Sequence, residues 1–194
     1  RFSKDIYVQL LNENRIWFGN NGDNVPSLKR FLSEVKQGTT SMTIWKYTEV
    51  GHNQDAKQEI KDIFSDSKFP FDTPKPTRLI NRILQIATDT NSIILDSFAG
   101  SGTTAHAVLN LNKKDGGNRK FILVEMEDYA ETITAERVKR VINGYGEGDK
   151  AVEGTGGGFD YFSLGKTIFN ADGNLNEDVG VEKIREYIWY SETG

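Results

Sequence analysis

Residues 93–104 read I-I-L-D-S-F-A-G-S-G-T-T: an apolar run closes on an acid, a glycine turn follows, and a helical pattern opens behind it. A strand ending at Asp96 delivers a carboxylate to the carboxyl edge of a sheet. Gly100 and Gly102 remove the side chains that would keep a ligand off the backbone at that edge. Such a turn is where a nucleoside cofactor sits, and it commits this part of the chain to strand–turn–helix order.

The flanking segments extend that order. Leu79, Ile80, Ile83, Leu84 and Ala87 repeat at helical spacing before the strand. After it come a helix from Thr103 to about Asn112, a polar loop K-K-D-G-G-N, a strand over 120–125 and a helix over 128–143, with Ala130, Ile133, Thr134, Val138, Val141 and Ile142 along one stripe. Two apolar strands joined by a helix are expected to run parallel with a right-handed crossover. The fold class is therefore read as α/β, a partial Rossmann-like sheet of parallel strands with flanking helices and small α+β additions at both ends.

The remainder is read from local pattern. Residues 1–18 alternate loosely and suggest one or two short strands; G-N-N-G-D at 19–23 is a turn; residues 26–35 are expected to form a short amphipathic helix; and residues 41–55 begin rich in β-formers. A short helix is expected over 56–64, with Ile60, Ile63 and Phe64 on one side. F-P-F-D-T-P-K-P at 69–76 carries three of the four prolines and suits an extended approach to a helix. Residues 144–158 are glycine-rich and read as an exposed loop or hinge, 159–169 as strand or hairpin, 172–174 as a turn and 182–189 as a last helix. The expected divisions are 1–68, a mixed segment; 69–143, a βαβα cofactor core; 144–158, the glycine loop; and 159–194, an extension.

Composition removes several classes of function. The 194 residues include no cysteine and two histidines, so disulfides and thiolate metal sites are excluded and no metal site is assigned. With 24 Lys+Arg against 28 Asp+Glu the net charge is -4, unlike a basic protein that coats nucleic acid. No stretch approaches the roughly 20 apolar residues of a membrane span and no apolar leader opens the chain, so no membrane is expected and a cytoplasmic location is the simple reading. The chain begins at Arg1 within a partly apolar segment, and further residues are expected upstream.

Three cofactors compete for the turn. A nucleotide-cradling loop needs a lysine after its last glycine, which is absent here. Gly100, Gly102 and Ala105 satisfy the G-x-G-x-x-G/A spacing of a dinucleotide fold, with Glu125 placed as a ribose ligand. S-adenosylmethionine carries an ammonium that Asp96 could hold, whereas a pyrophosphate would be repelled by that acid.

D-S-F-A-G-S-G-T-T resembles the cofactor motif of DNA methyltransferases that modify an exocyclic amine, in which Ser97 replaces a usual proline. Lys75-Pro76 heads the preceding helix and Glu125 closes F-I-L-V-E, an order similar to the permuted group of that family. The segments 15–35, F-D-T-P-K-P, G-G-N-R-K-F-I-L-V-E, G-G-G-F-D-Y-F-S-L-G and Y-I-W-Y-S-E-T resemble the modification subunit of Type III restriction systems, which methylates adenine at N6.

The resemblance implies S-adenosylmethionine as cofactor and assigns roles. Asp96 would face the methionine amino group, with Phe98, Gly100 and Gly102 shaping the turn. Thr103 would cap the helix or meet the carboxylate, Glu125 would accept the ribose hydroxyls, and Lys75 and Pro76 would lie beside the ligand. Each has a plainer alternative: Asp96 as a local cap, Phe98 as a core aromatic, Lys75 as a solvated lysine, and Glu125 paired with Arg119 or Lys120, with Glu127 replacing it if the strand ends later. His106 is read as structural, and Trp17, Trp45 and Trp189 as core or interface residues.

The family also uses a [DNS]-P-P-[YFW] tetrapeptide to hold the target amine, yet the chain has no Pro-Pro pair. No catalytic residue is therefore assigned, and that motif and most of target recognition are expected upstream of Arg1. The implied partners are double-stranded DNA, a second modification subunit and a restriction subunit. A nicotinamide-dependent oxidoreductase and a non-catalytic assembly module remain the competing readings.

Overall fold

Ser3 opens the first element by accepting the amide of Ile6 through its hydroxyl, which caps helix α1 (Lys4–Asn12). The computed structural model describes residues 2–35, 38, 40–66 and 71–193. These form two units, Arg1–Trp45 and Lys46–Gly194.

Of the one or two short strands expected over residues 1–18, one forms at Ile16–Trp17, while α1 takes the place of the earlier one. Ile6, Tyr7, Leu10 and Leu11 lie at helical spacing, and the cap and Asp5 in the first turn favour that period over the looser alternation. Strand β1 (Ile16–Trp17) pairs antiparallel with β2 (Ser27–Leu28) around the glycine turn, where Gly19 and Gly22 take positive φ. The helix expected over 26–35 shrinks to one 3-10 turn, Leu32–Glu34, because Ser27 and Leu28 are held extended by that pairing. Arg15 bridges to the Glu34 carboxylate and lies 4.9 Å over the Phe31 ring.

The second unit contains α2 (Tyr47–Val50), α3 (Asn53–Ile63), α4 (Thr77–Ala87), β3 (Ile93–Asp96), α5 (Thr103–Asp115) and β4 (Lys120–Leu123). A π-helical turn, Ala130–Ala135, then runs into α6 (Glu136–Asn143), followed by β5 (Gly144–Tyr145), β6 (Val152–Glu153) and α7 (Val181–Thr193). The β-rich start read at 41–55 forms no strand among the described residues; α2 occupies its later part. His52 and Asp55 cap α3 reciprocally, each side chain accepting the other's amide, at 3.1 and 3.2 Å. Pro76 precedes the first residue of α4, while residues 69 and 70 of the proline-rich run lie outside the described residues.

Strands β3 and β4 are parallel, with Asp96 opposite Leu123, as the βαβ order predicts. Helix α5 crosses between them and is buried along almost its whole length. One cluster joins Ile60, Ile63 and Phe64 of the α3 region to Ala105, Leu109, Val138 and Val141; a second joins Leu84 to Ala107, Val108 and Leu111. Ile94, Phe121 and Leu123 of the sheet pack onto these clusters. The alternate residues Ile93, Leu95 and Ile122 are 66%, 64% and 53% exposed, so the helices cover only one face of the sheet.

The glycine-rich stretch departs from the loop reading. Its ends form the β5–β6 hairpin, and a Cβ on Gly154 would stand 2.3 Å from the Ile142 carbonyl oxygen. Glycine is needed there for close backbone approach. Residues 159–169 hold no extended strand pairing; a single bridge joins Phe169 to Leu175 across the Asp172 turn. Helix α7 forms as read but buries none of its residues. No helix among the described residues is long and apolar enough to cross a membrane.

Ile60 is fully buried between α3, α5 and α6, whereas Ile86 on α4 is 51% exposed. Ile60→Ala is expected to cost about 2–5 kcal/mol in urea denaturation, and Ile86→Ala well under half of that.

Candidate cofactor-binding site

Parallel pairing brings β3 and β4 to a common edge, and the ladder runs one step beyond both strands. The Val124 amide donates to the Asp96 carbonyl at 2.9 Å, and the Ala99 amide to the Val124 carbonyl at 3.0 Å. Asp96 and Glu125 thus emerge side by side beneath the turn of residues 97–102.

That turn is pinned at each of its polar points. Gly100 and Gly102 have φ of 53° and 77°, a region where a side chain is disfavoured. A Cβ on Gly102 would also lie 3.1 Å from the Thr134 carbonyl oxygen. The Gly100 amide donates to Glu125 Oε2 at 2.7 Å, and the Gly100 carbonyl accepts the Thr134 hydroxyl at 2.6 Å. Asp96 Oδ1 accepts the Phe98 amide at 3.1 Å and Oδ2 the Thr104 hydroxyl at 2.5 Å. Glu125 Oε1 accepts the amides of Met126 and Glu127 at 2.9 and 3.1 Å. Among the described residues, Arg119 pairs with Asp115 rather than Glu125, at 2.9 Å.

A cavity of about 220 Å³ opens beside the turn and gathers four of the residues singled out in the sequence: Lys75, Asp96, Phe98 and Thr103. Phe98 is 87% exposed, which removes the core-aromatic alternative and leaves its ring free beside the cavity. Phe71, in edge contact with Tyr129 at 5.2 Å, lines the same cavity; it opens the F-D-T-P-K-P segment, but the resemblance gave it no role of its own. Lys75 is exposed. Pro76 is buried on another side, where it packs against Gly51 and lines a separate groove with Thr77 and Arg78. Thr103 is 5% exposed, and its hydroxyl lies 3.3 Å from the Lys75 carbonyl, donating to it. Of the tryptophans, Trp17 and Trp189 are 49% and 70% exposed, so neither is a core residue.

Beneath the turn lies a polar cluster. Arg137 is fully buried. Its Nη1 donates to the hydroxyls of Ser101 and Thr103, both at 2.9 Å, and Nη2 donates to Glu59 Oε2 and Thr77 Oγ1, both at 3.1 Å. Nη2 also lies 3.1 Å from His106 Nδ1. A guanidinium can only donate, and its two Nη2 hydrogens are shared among Glu59, Thr77 and Nδ1, so Nδ1 faces it unprotonated and the neutral His106 carries its proton on Nε2. The available signal for Arg137 was its place on the apolar stripe between Thr134 and Val138, where an arginine is out of pattern.

The sequence profile of the DNA methylase family matches residues 2–136, well over half of the chain and every residue named in this site except Arg137. The chain belongs to the DNA methylase family. The StyLTI Mod subunit of a Type III restriction-modification enzyme from Salmonella typhimurium is 41% identical over 121 residues, 62% of this chain and 18% of that protein. The EcoP15I Mod subunit from Escherichia coli is 35% identical over 130 residues, 66% of this chain and 19% of its own length. The Type II methyltransferase M.KpnI of Klebsiella pneumoniae is 45% identical over 83 residues, 43% of this chain and 19% of its length. The chain therefore spans about a fifth of the length of these methylase relatives.

Burial, reinforced by the Arg137 charge, pushes the His106 pKa down to about 3 from an ordinary 6.5. Between those values the unfolded chain binds the extra proton, so stability is full above about pH 6.5 and falls as the pH is lowered towards 3, by at most about 1.4 kcal/mol per pH unit. Urea denaturation at pH 6.5 and 5 should show a loss of roughly 2 kcal/mol from this residue. His106→Gln should remove that part of the slope.

Proposed function

We propose that this chain is the S-adenosylmethionine-binding part of a Type III-like DNA methyltransferase that methylates adenine at N6. The observation that carries the reading is the pairing of Asp96 at the cavity with Glu125 on the Gly100 amide, two carboxylates on one strand edge flanking one glycine turn.

The residues present fit that cofactor. A cavity of about 220 Å³ is below the ~300–1,000 Å³ of pockets that take a whole small ligand, so it suits the amino-acid end alone. Asp96 accepts two internal hydrogen bonds and has open acceptor sites for an ammonium. The nucleoside would then lie across the turn towards Glu125, near the exposed ring of Phe98. When bound, S-adenosylmethionine supplies an electrophilic methyl group. The protein's own contribution is to neutralise the ammonium at Asp96, to orient the ribose at Glu125, and to admit the ligand to the backbone through the missing side chains of Gly100 and Gly102.

The relatives' names support the rest of the reading: Mod subunits belong to restriction-modification enzymes. DNA, a second modification subunit and a restriction subunit are the proposed partners. The 194 residues contain no Pro-Pro pair, so the tetrapeptide that holds the target amine must come from another segment, and the chain by itself should not transfer methyl groups.

Titration calorimetry separates this reading from a nicotinamide site. S-adenosylmethionine should bind and NAD should not, and Asp96→Asn should weaken the former by about 10–100-fold, the worth of one charge-assisted hydrogen bond. NAD binding without S-adenosylmethionine binding would reverse the assignment. In a radiolabelled methyl-transfer assay on DNA, the chain alone should give no turnover above background; robust turnover would place a complete active site within it.

A further inference from the structure

Arg137 poses a physical question. A guanidinium with no exposed surface has lost its hydration, and replacing a buried ion pair by well-packed apolar residues is often neutral or stabilising. Stability alone therefore accounts poorly for an arginine on the apolar stripe of α6. The two ends of its fork have different partners. Nη2 reaches Glu59, Thr77 and His106, one residue each from α3, α4 and α5. Nη1 reaches the glycine turn: the Ser101 carbonyl at 3.4 Å, the Ser101 hydroxyl at 2.9 Å and the Thr103 hydroxyl at 2.9 Å.

We infer that Arg137 is a positioning residue for the cofactor turn, fixing Ser101 and Thr103 from inside the core so that the turn is set before a ligand arrives. Two positive-φ glycines two residues apart give this turn backbone freedom to lose. The Asp96 and Glu125 contacts that restrain it involve the same carboxylates a ligand would engage. Arg137 restrains it from within the core, through a guanidinium that is itself fully buried. Because the guanidinium supplies a hydrogen to the Thr103 hydroxyl, that hydroxyl keeps its own proton for the Lys75 carbonyl or the Ser101 hydroxyl, each at 3.3 Å. The functional half of this assignment rests on the cofactor reading above; the structural half does not.

The test is amide hydrogen exchange on the whole chain, wild type against Arg137→Lys, which keeps the charge but cannot serve both ends of the fork. The amides of Gly100 and Gly102 donate to Glu125 and Ala99, so both report the turn. Their exchange is expected to rise about tenfold more than that of the α4 amides. Equal acceleration of turn and α4 would show a merely structural role and overturn the assignment. Glu59→Gln, which touches only the other end of the fork, should accelerate turn and core together. Should Arg137→Lys fail to unfold cooperatively, Ser101→Ala, which removes a single acceptor, is read by the same comparison. Titration with S-adenosylhomocysteine completes the design. Arg137→Lys should weaken binding about tenfold and Glu59→Gln much less. Absence of binding by the wild type, with the turn still loosened in Arg137→Lys, would reject the cofactor reading and leave Arg137's hold on the turn standing.

Discussion

The parallel register of β3 against β4 is the constraint on which the rest of the second unit depends. Asp96 lies opposite Leu123, so both strands end at one edge, and Asp96 closing β3 and Glu125 just beyond β4 come to the same turn. An antiparallel pair would send the two acids to opposite edges. Parallel pairing in turn demands a crossover long enough to return the chain, and α5 supplies it. Because α5 must lie across the sheet with helices beyond it, its residues are buried on nearly all sides, and even its small polar residues Thr103 and Thr104 are enclosed. The site and the core therefore share one helix.

That sharing explains the polar cluster. The first turn of α5 brings hydroxyls and the His106 imidazole into an interior that would otherwise be apolar, and each needs a partner. Arg137 answers several at once, and Glu59 balances its charge at 3.1 Å. The cluster is consistent only in one protonation state: a protonated imidazole would present Nδ1–H to a group that can itself only donate. The same chemistry that satisfies the buried hydroxyls makes His106 a neutral residue across the ordinary pH range.

Elements carried by long-range burial were legible, and those settled by local competition were not. Helix α4, β3, α5, β4 and α6 all followed from apolar period, because each has a face against the same core. The opening segment failed: Ile6, Val8 and Leu10 alternate, but a serine cap and an acid in the first turn decided for a helix that buries nothing. Residues 26–35 failed in reverse, since pairing of Ser27–Leu28 with β1 outweighed helical spacing. At the site, the acids and glycines announced themselves, being residues that a plain strand–turn–helix does not need. Glu59 carried no such mark, and Phe71 only its place at the head of F-D-T-P-K-P. Arg137 carried one, as a charge on an apolar stripe, and its partners could be found only once α3 was seen against α6. Pro76 was legible as a helix start; it lines a separate groove, while its neighbour Lys75 lines the cavity beside the turn.

The two carboxylates are not equivalent, and the difference bears on how a ligand enters. A carboxylate has roughly four acceptor positions. Asp96 uses two of them, on the Phe98 amide and the Thr104 hydroxyl, and can take two more donors without losing either. Glu125 uses three, on the amides of Gly100, Met126 and Glu127, and the Tyr129 hydroxyl also bonds to it, so it has at most one left. An ammonium can therefore add to Asp96 as it stands, whereas a diol that donates twice to Glu125 must displace one amide. The Gly100 amide is the candidate for release, because the other two belong to the chain immediately following Glu125 and constrain its own strand end. On the proposed cofactor reading, the methionine end is received by a preset acid, and the ribose end exchanges one hydrogen bond of the glycine turn for its own. A turn that gives up one restraint on binding needs a second, and the fold provides it from the core through the buried Arg137 guanidinium on Ser101 and Thr103.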